Sequence, residues 1–380
     1  MWLVLRLALA LLSFAIALLA VVPTPTVPLF KLSIGATEFG HWLVFLPLLV
    51  LALGPWRGLP ALASVLLALG ACGLFLSSAL RAQHLARTLP DDLTRAFDIP
   101  ASAASTDVAP FAWSRLWFAP AIAPVKMERH EFAGPDGAKL ALHFFRSQTR
   151  TPAPCVVVIH GGGWEGGSPD EFSAFHQLLA RRGYAVAAIP YRFAPRWPWP
   201  AQREDVLAAL GCLKTRAAGL GIDAGKFVIM GRSAGGQIAE AVAYSAPDPA
   251  IRGCIAFYAP ADMHFAHEFA RDDDIISSLG LVLRHMGGPP TEVRANYDSA
   301  SGIRLADRTS PPTLLLHGRR DPYVWYLQSQ RLAARLEAVG VPHFFLDLPW
   351  ATHGFDFNPH GPGGQLSAYA VGRFLAAVTR

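Results

Sequence analysis

Apolar residues follow different patterns in the two parts of the chain. Residues 2–22 and 59–80 are long and almost wholly apolar, and each reaches the length of about 20 residues that a helix needs to cross a bilayer. Residues 42–53 form a shorter run that contains Pro47, so it spans only if flanking residues contribute. We therefore expect about three transmembrane helices within residues 1–80. For the first run, a cleaved signal peptide is the alternative.

After residue 126, short apolar runs alternate with segments of helical periodicity. Residues 127–132 and 140–145, joined by a Gly-Pro-Asp-Gly turn, predict a β-hairpin. Further strands are predicted around Val156, 185–189, Phe227, 254–258, Leu314 and Phe344, and helices at 172–181, 201–218, 235–244, 324–338 and 365–378. This alternation predicts an α/β fold, with a mostly parallel sheet covered by helices on both faces.

Residues 81–125 connect these two parts and differ from both. Five prolines interrupt the segment, and it carries aromatic side chains at Phe111, Trp113, Trp117 and Phe118. Such side chains pack over a binding pocket, lie at a membrane interface, or fill a core. The sequence thus divides into a membrane region (1–80), a linker or cap segment (81–125) and an α/β domain (126–380).

Charge and cysteine content narrow the class of partner. The net charge is +5, but the basic residues are scattered and form no known nucleic-acid module. We therefore expect contact with anionic lipid headgroups and no nucleic-acid partner. The four cysteines lack the paired spacing of a zinc site, so we expect no metal.

Arginines beside the apolar runs leave two orientations in the membrane open. If Arg6 and Arg57 lie on the cytoplasmic side, three crossings place the α/β domain on the other side of the membrane, outside the cytoplasm. Arg81, Arg87 and Arg95, which follow the last run, favour the cytoplasm instead.

The segment Gly231-Arg232-Ser233-Ala234-Gly235 directly follows the apolar run 227–230. A Gly-x-Ser-x-Gly sequence between a strand and a helix is typical of a nucleophile elbow, because glycines keep neighbouring Cβ atoms away from a tightly turned serine. Ser233 is therefore the candidate nucleophile. The same sequence also fits a serine that caps a helix, so the assignment depends on partners elsewhere.

Candidate partners of Ser233 follow other predicted strands. The run 155–159 ends in His160-Gly161-Gly162-Gly163-Trp164, a glycine-rich loop whose backbone amides can bind an anion. Asp321 follows the run 313–316, and His353 follows the last predicted strand. The order Ser, Asp, His is that of α/β-hydrolases. Because the ends of parallel strands meet at one edge of the sheet, one crevice can collect all three side chains.

These motifs, with Tyr191-Arg192 and His353-Gly354-Phe355, resemble the hormone-sensitive-lipase group of α/β-hydrolase esterases, close to its acetylesterase and feruloyl-esterase-like members. The resemblance implies an α/β-hydrolase fold, esterase activity without metal or organic cofactor, and an oxyanion hole that includes the amides of Gly162 and Gly163. The chain departs from the pattern at two single positions and in residues 323–326, which lack an acidic residue common in the lipase-like branch. Arg232 stands where Asp or His is common, and Pro190 replaces an acidic or amide residue.

Each candidate residue has a distinct chemical role. Ser233 attacks an acyl carbon, His353 takes its proton and returns it to the leaving group, and Asp321 orients the imidazole. The amide of Ala234, next to the nucleophile, completes the oxyanion hole with Gly162 and Gly163. Asp347 and Asp356 are the rival acids: Asp347 lies within a predicted strand, and Asp356 follows the histidine.

Together these features predict a membrane-anchored serine carboxylesterase that acts on short acyl or acetyl esters. The expected partners are a small ester substrate and the lipid bilayer. Residues 262–296 are expected to cap the pocket and to limit the size of the acyl or alcohol group. Two other functions stay open: an amidase or peptidase of the same fold, and a non-catalytic receptor module.

Overall fold

The computed structural model describes residues 2–54, 57–99, 108–118, 123–245 and 247–380. In these residues eight strands form one sheet: β1 (Met127–Ala133), β2 (Lys139–Phe145), β3 (Ala153–Ile159), β4 (Ala185–Ile189), β5 (Ile222–Arg232), β6 (Ile251–Phe257), β7 (Thr313–Gly318) and β8 (His343–Leu348). Their order across the sheet is β1-β2-β4-β3-β5-β6-β7-β8. Strands β1 and β2 pair antiparallel with their neighbours, and β3 to β8 pair in parallel.

Helices cover both faces of this sheet. Counting on from seven helices in the N-terminal part, they are α8 (Ser173–Arg181), α9 (Ala201–Thr215), α10 (Ala217–Leu220), α11 (Ala234–Ser245), α12 (Met263–Phe269), α13 (Ser278–Met286), α14 (Arg294–Ala300), α15 (Gly302–Leu305), α16 (Leu327–Ala338) and α17 (Pro362–Val378). In β3, Val157 belongs to the hydrophobic cluster that includes residues of α9, α11 and α16, and its neighbour Val156 belongs to the cluster that includes residues of α8 and α17. Every residue of β3 is buried, as expected for a central parallel strand.

The α/β architecture predicted from the sequence is confirmed, and some element bounds differ. The helix expected at 201–218 breaks at Arg216, whose backbone leaves the helical region (φ −96°, ψ 8°), and the chain continues as α10. The helix expected from Val324 begins three residues later, because the amide of Val324 donates to the side chain of Asp321 instead.

The secondary-structure elements described for the N-terminal part are all helices. Its helices are α1 (Trp2–Leu18), α2 (Val27–Glu38), α3 (Gly40–Leu43), α4 (Phe45–Ala52), α5 (Leu59–Leu85), α6 (Leu89–Phe97) and α7 (Trp113–Trp117). Among the described residues, α5 is the one helix long and apolar enough to cross a membrane. Helix α2 and the segment Gly40–Ala52 pass the same test as a pair, and α1 is apolar but shorter.

The run predicted at 42–53 is part of a bent unit. The chain turns by 83° between α2 and the segment Gly40–Ala52. Gly40 allows the bend to approach α5 closely, since a Cβ there would lie 2.2 Å from the carbonyl oxygen of Phe75. Pro47 lies in the first turn of α4, where a backbone N–H has no partner within the helix, so the N–H that proline lacks is not missed. In a helix that continued unbroken from Leu43, the ring of Pro47 would clash with the carbonyl group of Leu43.

The segment predicted as linker or cap is partly helical. Helix α5 extends into it, and Leu89 and Leu93 of α6 pack against the sheet's α17 face. Trp117 contacts the rings of Trp42 and Phe45 in the N-terminal helices, at centroid distances of 5.1 Å and 5.6 Å. Residues 100–107 and 119–122 of this segment lie outside the described residues.

Candidate active site

Ser233 occupies the sharp turn between β5 and α11. Its φ is +53°, a left-handed conformation that is uncommon for serine. A Cβ on Gly231 would lie 2.0 Å from the carbonyl oxygen of Gly235, and a Cβ on Gly235 would lie 2.3 Å from that of Ile159. Both flanking positions therefore require glycine. This is the geometry expected of a nucleophile elbow.

The glycine-rich loop after β3 lies directly beside this turn. A Cβ on Gly161 would be 3.3 Å from the carbonyl oxygen of Arg232. Gly162 and Gly163 have φ values of +108° and +59°, and their amides have no acceptor within the described part of the chain. Ala234 is the first residue of α11, a position whose amide has no partner within the helix. These three amides are available to an oxyanion.

Asp321 and His353 are joined by a short hydrogen bond. His353 Nδ1 lies 2.7 Å from Asp321 Oδ2. Asp321 Oδ1 accepts from the amides of Tyr323 (2.8 Å) and Val324 (2.9 Å). Burial of the carboxyl group works to raise its pKa, but the charge of His353 and the hydrogen bonds of His317 and His353 prevail and hold that pKa well below its usual range. Asp321 is therefore ionised at neutral pH.

His317, in β7, is a second partner of Asp321. Its Nε2 lies 3.0 Å from the carbonyl oxygen of Val324 and 3.3 Å from Asp321 Oδ2. Both are acceptors, so Nε2 carries the proton. Its Nδ1 then accepts from the Ser329 hydroxyl at 2.7 Å. This chain of bonds holds the carboxylate toward His353.

The rival acids both have other partners. Asp347 binds Arg319 near the surface, with Nε 2.8 Å from Oδ2. Asp356 binds Arg232, with Nε 2.6 Å from Oδ2, and also accepts from the Tyr258 hydroxyl at 2.7 Å. Asp321 is therefore the one of these three carboxylates that contacts His353.

The pair formed by Arg232 and Asp356 was not predicted. Both side chains are only 3% exposed. Tyr258 connects the pair to the site, because its hydroxyl binds Asp356 and its ring lies 4.4 Å from the ring of His353. The unusual residue at position 232 was the one signal in the sequence, since a buried arginine needs a buried acid.

His160 shapes the glycine-rich loop. Its ring stacks on that of Tyr191 at 4.3 Å, and its Nδ1 lies 2.7 Å from the carbonyl oxygen of Gly161. Burial lowers the pKa of His160 to about 4, so the imidazole is neutral at pH 7 and donates this bond. These contacts make His160 a structural residue of the loop.

A cavity of about 750 Å³ collects the predicted residues. Its lining includes all six of them: Ser233, Asp321, His353, Gly162, Gly163 and Ala234. Helices α12 and α13, from the segment predicted as a cap, add Phe265, Phe269 and Leu281. The cavity thus contains the polar groups of the elbow and, from the cap, three large apolar side chains beside the polar Asp274 and Ser278. Trp113 and Trp117 are not among its described lining residues.

Comparison with known proteins agrees with this geometry. Residues 143–336, more than half of the 380 residues, match the BD-FAE family. Esterase LipC of Mycobacterium tuberculosis is 30% identical over 269 residues, which are 66% of this chain and 65% of LipC. Ethyl acetate hydrolase of Pseudomonas putida is 36% identical over 240 residues, which are 58% of this chain and 72% of that protein.

The fold also matches solved structures. A bacterial heroin esterase superposes with a TM-score of 0.60 at 24% identity, covering 69% of this chain and 87% of its own. The resemblance to α/β-hydrolase esterases stated from the motifs is confirmed by these matches. The chain therefore belongs to the BD-FAE family and has the α/β-hydrolase fold.

Proposed function

We propose that the protein is a membrane-anchored carboxylesterase in which Ser233 is the nucleophile, His353 the general base and Asp321 the orienting acid. The observation that carries the proposal is the 2.7 Å bond between His353 Nδ1 and Asp321 Oδ2, in a cavity that Ser233 also lines. This bond fixes the proton on Nδ1 and leaves Nε2 free to accept the proton of a serine hydroxyl.

The reaction proceeds in two halves. Ser233 Oγ bonds to the acyl carbon while His353 takes the hydroxyl proton, and the oxyanion forms beside the amides of Gly162, Gly163 and Ala234. The ester C–O bond then breaks, and His353 returns the proton to the departing alcohol. A water molecule, deprotonated by His353, releases the acid from Ser233 in the same way.

The lining of the cavity supports a short acyl group. The side chain of Leu281 lies 3.2 Å from where a Cβ of Gly163 would be, so it closes the space beside the glycine-rich loop. The relative from Pseudomonas putida is named for hydrolysis of ethyl acetate, an ester whose acyl group has only two carbon atoms. We extend that acyl size to this chain.

Membrane anchoring rests on an inverted pattern of burial in the N-terminal helices. Of the 26 large apolar side chains that are exposed in the described chain, nineteen lie within residues 2–80 and seven elsewhere. The side chains buried between these helices include many small ones, among them Ala10, Ala17, Ala68, Ala71, Ser13 and Ser64. Water-soluble bundles bury their large residues, whereas membrane helices pack through small ones.

This packing supports three crossings, made by α1, the bent unit α2 to α4, and α5. Trp2 Nε1 donates to the carbonyl oxygen of Gly54 at 2.9 Å, so the start of α1 lies beside the end of α4. Extraction of membranes with alkaline carbonate tests the anchoring: the full chain should stay in the pellet. Release into the supernatant would contradict it.

Ester hydrolysis is tested with p-nitrophenyl esters of increasing acyl length and the full chain in detergent. The wild type and the exposed-serine control Ser114→Ala should both hydrolyse the acetyl and butyryl esters, and Ser233→Ala should lose the activity. Turnover that survives Ser233→Ala would exclude the mechanism. Faster cleavage of matched anilides than of esters would instead favour an amidase, and cleavage of neither would favour a receptor module.

A further inference from the structure

The loops that carry Asp321 and His353 both contact the N-terminal helices. Arg320, next to Asp321, donates to the carbonyl oxygens of Leu19, Ala20 and Val22 at the end of α1. On α2, the ring of Phe30 lies 4.5 Å from that of Tyr323, which in turn lies 5.2 Å from the ring of His353. The catalytic loops are therefore supported by the region that would anchor the protein.

Glu38, the last residue of α2, makes the most specific of these contacts. Its side chain is fully buried. Oε2 accepts from the amide of Gly363 at 2.9 Å, and Oε1 accepts from Trp350 Nε1 at 3.3 Å. Its main-chain carbonyl accepts from Asn358 Nδ2 at 3.0 Å. Because His353 lies between Trp350 and Asn358, one residue of α2 binds the chain on both sides of the catalytic histidine.

Close packing around the Glu38 carboxyl group gives independent support. A Cβ on Gly361 would lie 2.7 Å from Glu38 Oε2, so this position has no room for a larger residue. A Cβ on Gly363 would lie 2.8 Å from the ring of Phe355 and 3.3 Å from both side-chain oxygens of Glu38. The loop after His353 thus fits closely around Glu38. A carboxyl group is costly to bury, and an anchor alone would need only apolar contact here.

From these contacts we propose that Glu38 is a positioning residue, which holds the His353 loop in its catalytic geometry. The N-terminal helices then complete the active site as well as anchor it. The inference rests on the proposed function, because it assigns Glu38 a role in the same reaction. Without the carboxyl group, the Gly363 amide and Trp350 Nε1 lose their acceptor, and the loop relaxes. A shift of about 1 Å in a catalytic group lowers the rate by up to ~100-fold.

The experiment compares Glu38→Ala, Glu38→Gln and Lys31→Ala in the full chain in detergent. Lys31 is exposed on the same helix and serves as the control. Active sites are first titrated with a serine-directed fluorophosphonate, so that kcat is expressed per competent site. Glu38→Ala should lower this kcat by about tenfold or more and change KM by less than about twofold. Glu38→Gln keeps one acceptor oxygen, so its kcat should lie between those of Glu38→Ala and the wild type.

Amide hydrogen exchange of residues 349–363 provides a readout that does not depend on ester chemistry. Exchange should be faster in Glu38→Ala and unchanged in Lys31→Ala. If kcat per titrated site and exchange both match the wild type, or if only the number of competent sites falls, the inference is wrong. If Glu38→Ala does not fold, Glu38→Gln decides by the same two readouts. A wild type without esterase activity refutes the proposed function instead, and exchange alone then decides whether Glu38 holds the loop.

Discussion

Arg232 and Asp356 form a buried ion pair directly beside the nucleophile elbow, with Arg232 Nε 2.6 Å from Asp356 Oδ2. The guanidinium also lies over the rings of Phe172 and Phe257, at 4.2 Å and 4.6 Å from their centroids. The ion pair therefore links Arg232, the residue before Ser233, to the loop that follows His353. The Tyr258 hydroxyl completes the arrangement by donating to the other carboxylate oxygen.

We predict that breaking this pair from one side is costly. Arg232→Met leaves Asp356 charged and buried without its cation, which should lower the free energy of unfolding by about 3–5 kcal/mol. Asp356→Asn should also destabilise the protein. Chemical denaturation of the purified chain in detergent measures both, and the double variant should lose less than the sum of the single losses. Strictly additive losses would show that the two side chains do not depend on each other.

Removing the charge of Asp321 should impair catalysis more than binding. Asp321→Asn no longer selects the required tautomer of His353, so kcat should fall by about 10³ to 10⁴-fold, as in serine proteases that lose this charge, while KM changes little. Steady-state kinetics with a p-nitrophenyl ester check this. Asp347→Asn, which alters a carboxylate bound to Arg319, is the matched control and should keep wild-type kcat. A large loss in the control and none in Asp321→Asn would assign the acid differently.

Leu281 should set the upper limit of acyl length. Leu281→Ala opens the space beside Gly163, so the ratio of kcat/KM for octanoyl and acetyl esters should rise by about 10-fold or more. Leu207→Ala, an exposed position on α9, should leave the ratio unchanged. An unchanged ratio in Leu281→Ala would mean that the acyl group occupies another part of the cavity.

His176 should make the protein sensitive to acid. Its ring lies beside Phe145 with neither nitrogen bonded within the described residues, and burial, with the charges of Arg232 and His143, lowers its pKa from 6.5 to about 3. The unfolded chain takes up this proton below pH 6.5 and the folded chain does not, so stability falls as the pH falls. Between pH 6.5 and 4.5 His176 should account for about 2–3 kcal/mol of this loss, and His176→Leu should reduce the loss by that amount. An equal loss in both proteins would assign the acid sensitivity to other groups.

The elements closest to the chemistry were the most predictable from the sequence. The turn at Ser233 and the loop at Gly162 and Gly163 depend on glycines within a few residues, so their geometry is encoded locally. The places of Asp321 and His353 followed from strand ends meeting at one edge of a parallel sheet. Their mutual hydrogen bond, which the structure shows, is a consequence of that topology.

The contacts that the sequence did not predict join distant parts of the chain. Arg232 and Asp356 are 124 residues apart, and Glu38 is 325 residues from Gly363. Neither pair has a periodicity or motif of its own. The bend between α2 and α4 was also hidden, because it depends on the approach of Gly40 to the backbone of α5. Such features are decided by tertiary packing and not by local propensity.

Covalent labelling of Ser233 tests the central claim most directly. A serine-directed fluorophosphonate should modify the full chain once, on the peptide that contains Ser233, and a short-chain ester should slow the labelling by competition. His353→Gln should label far more slowly, because the hydroxyl then lacks its base, and Ser233→Ala should not label at all. Labelling of Ser233→Ala at the wild-type rate, or of a serine outside the cavity, would contradict the assignment of Ser233 as the nucleophile.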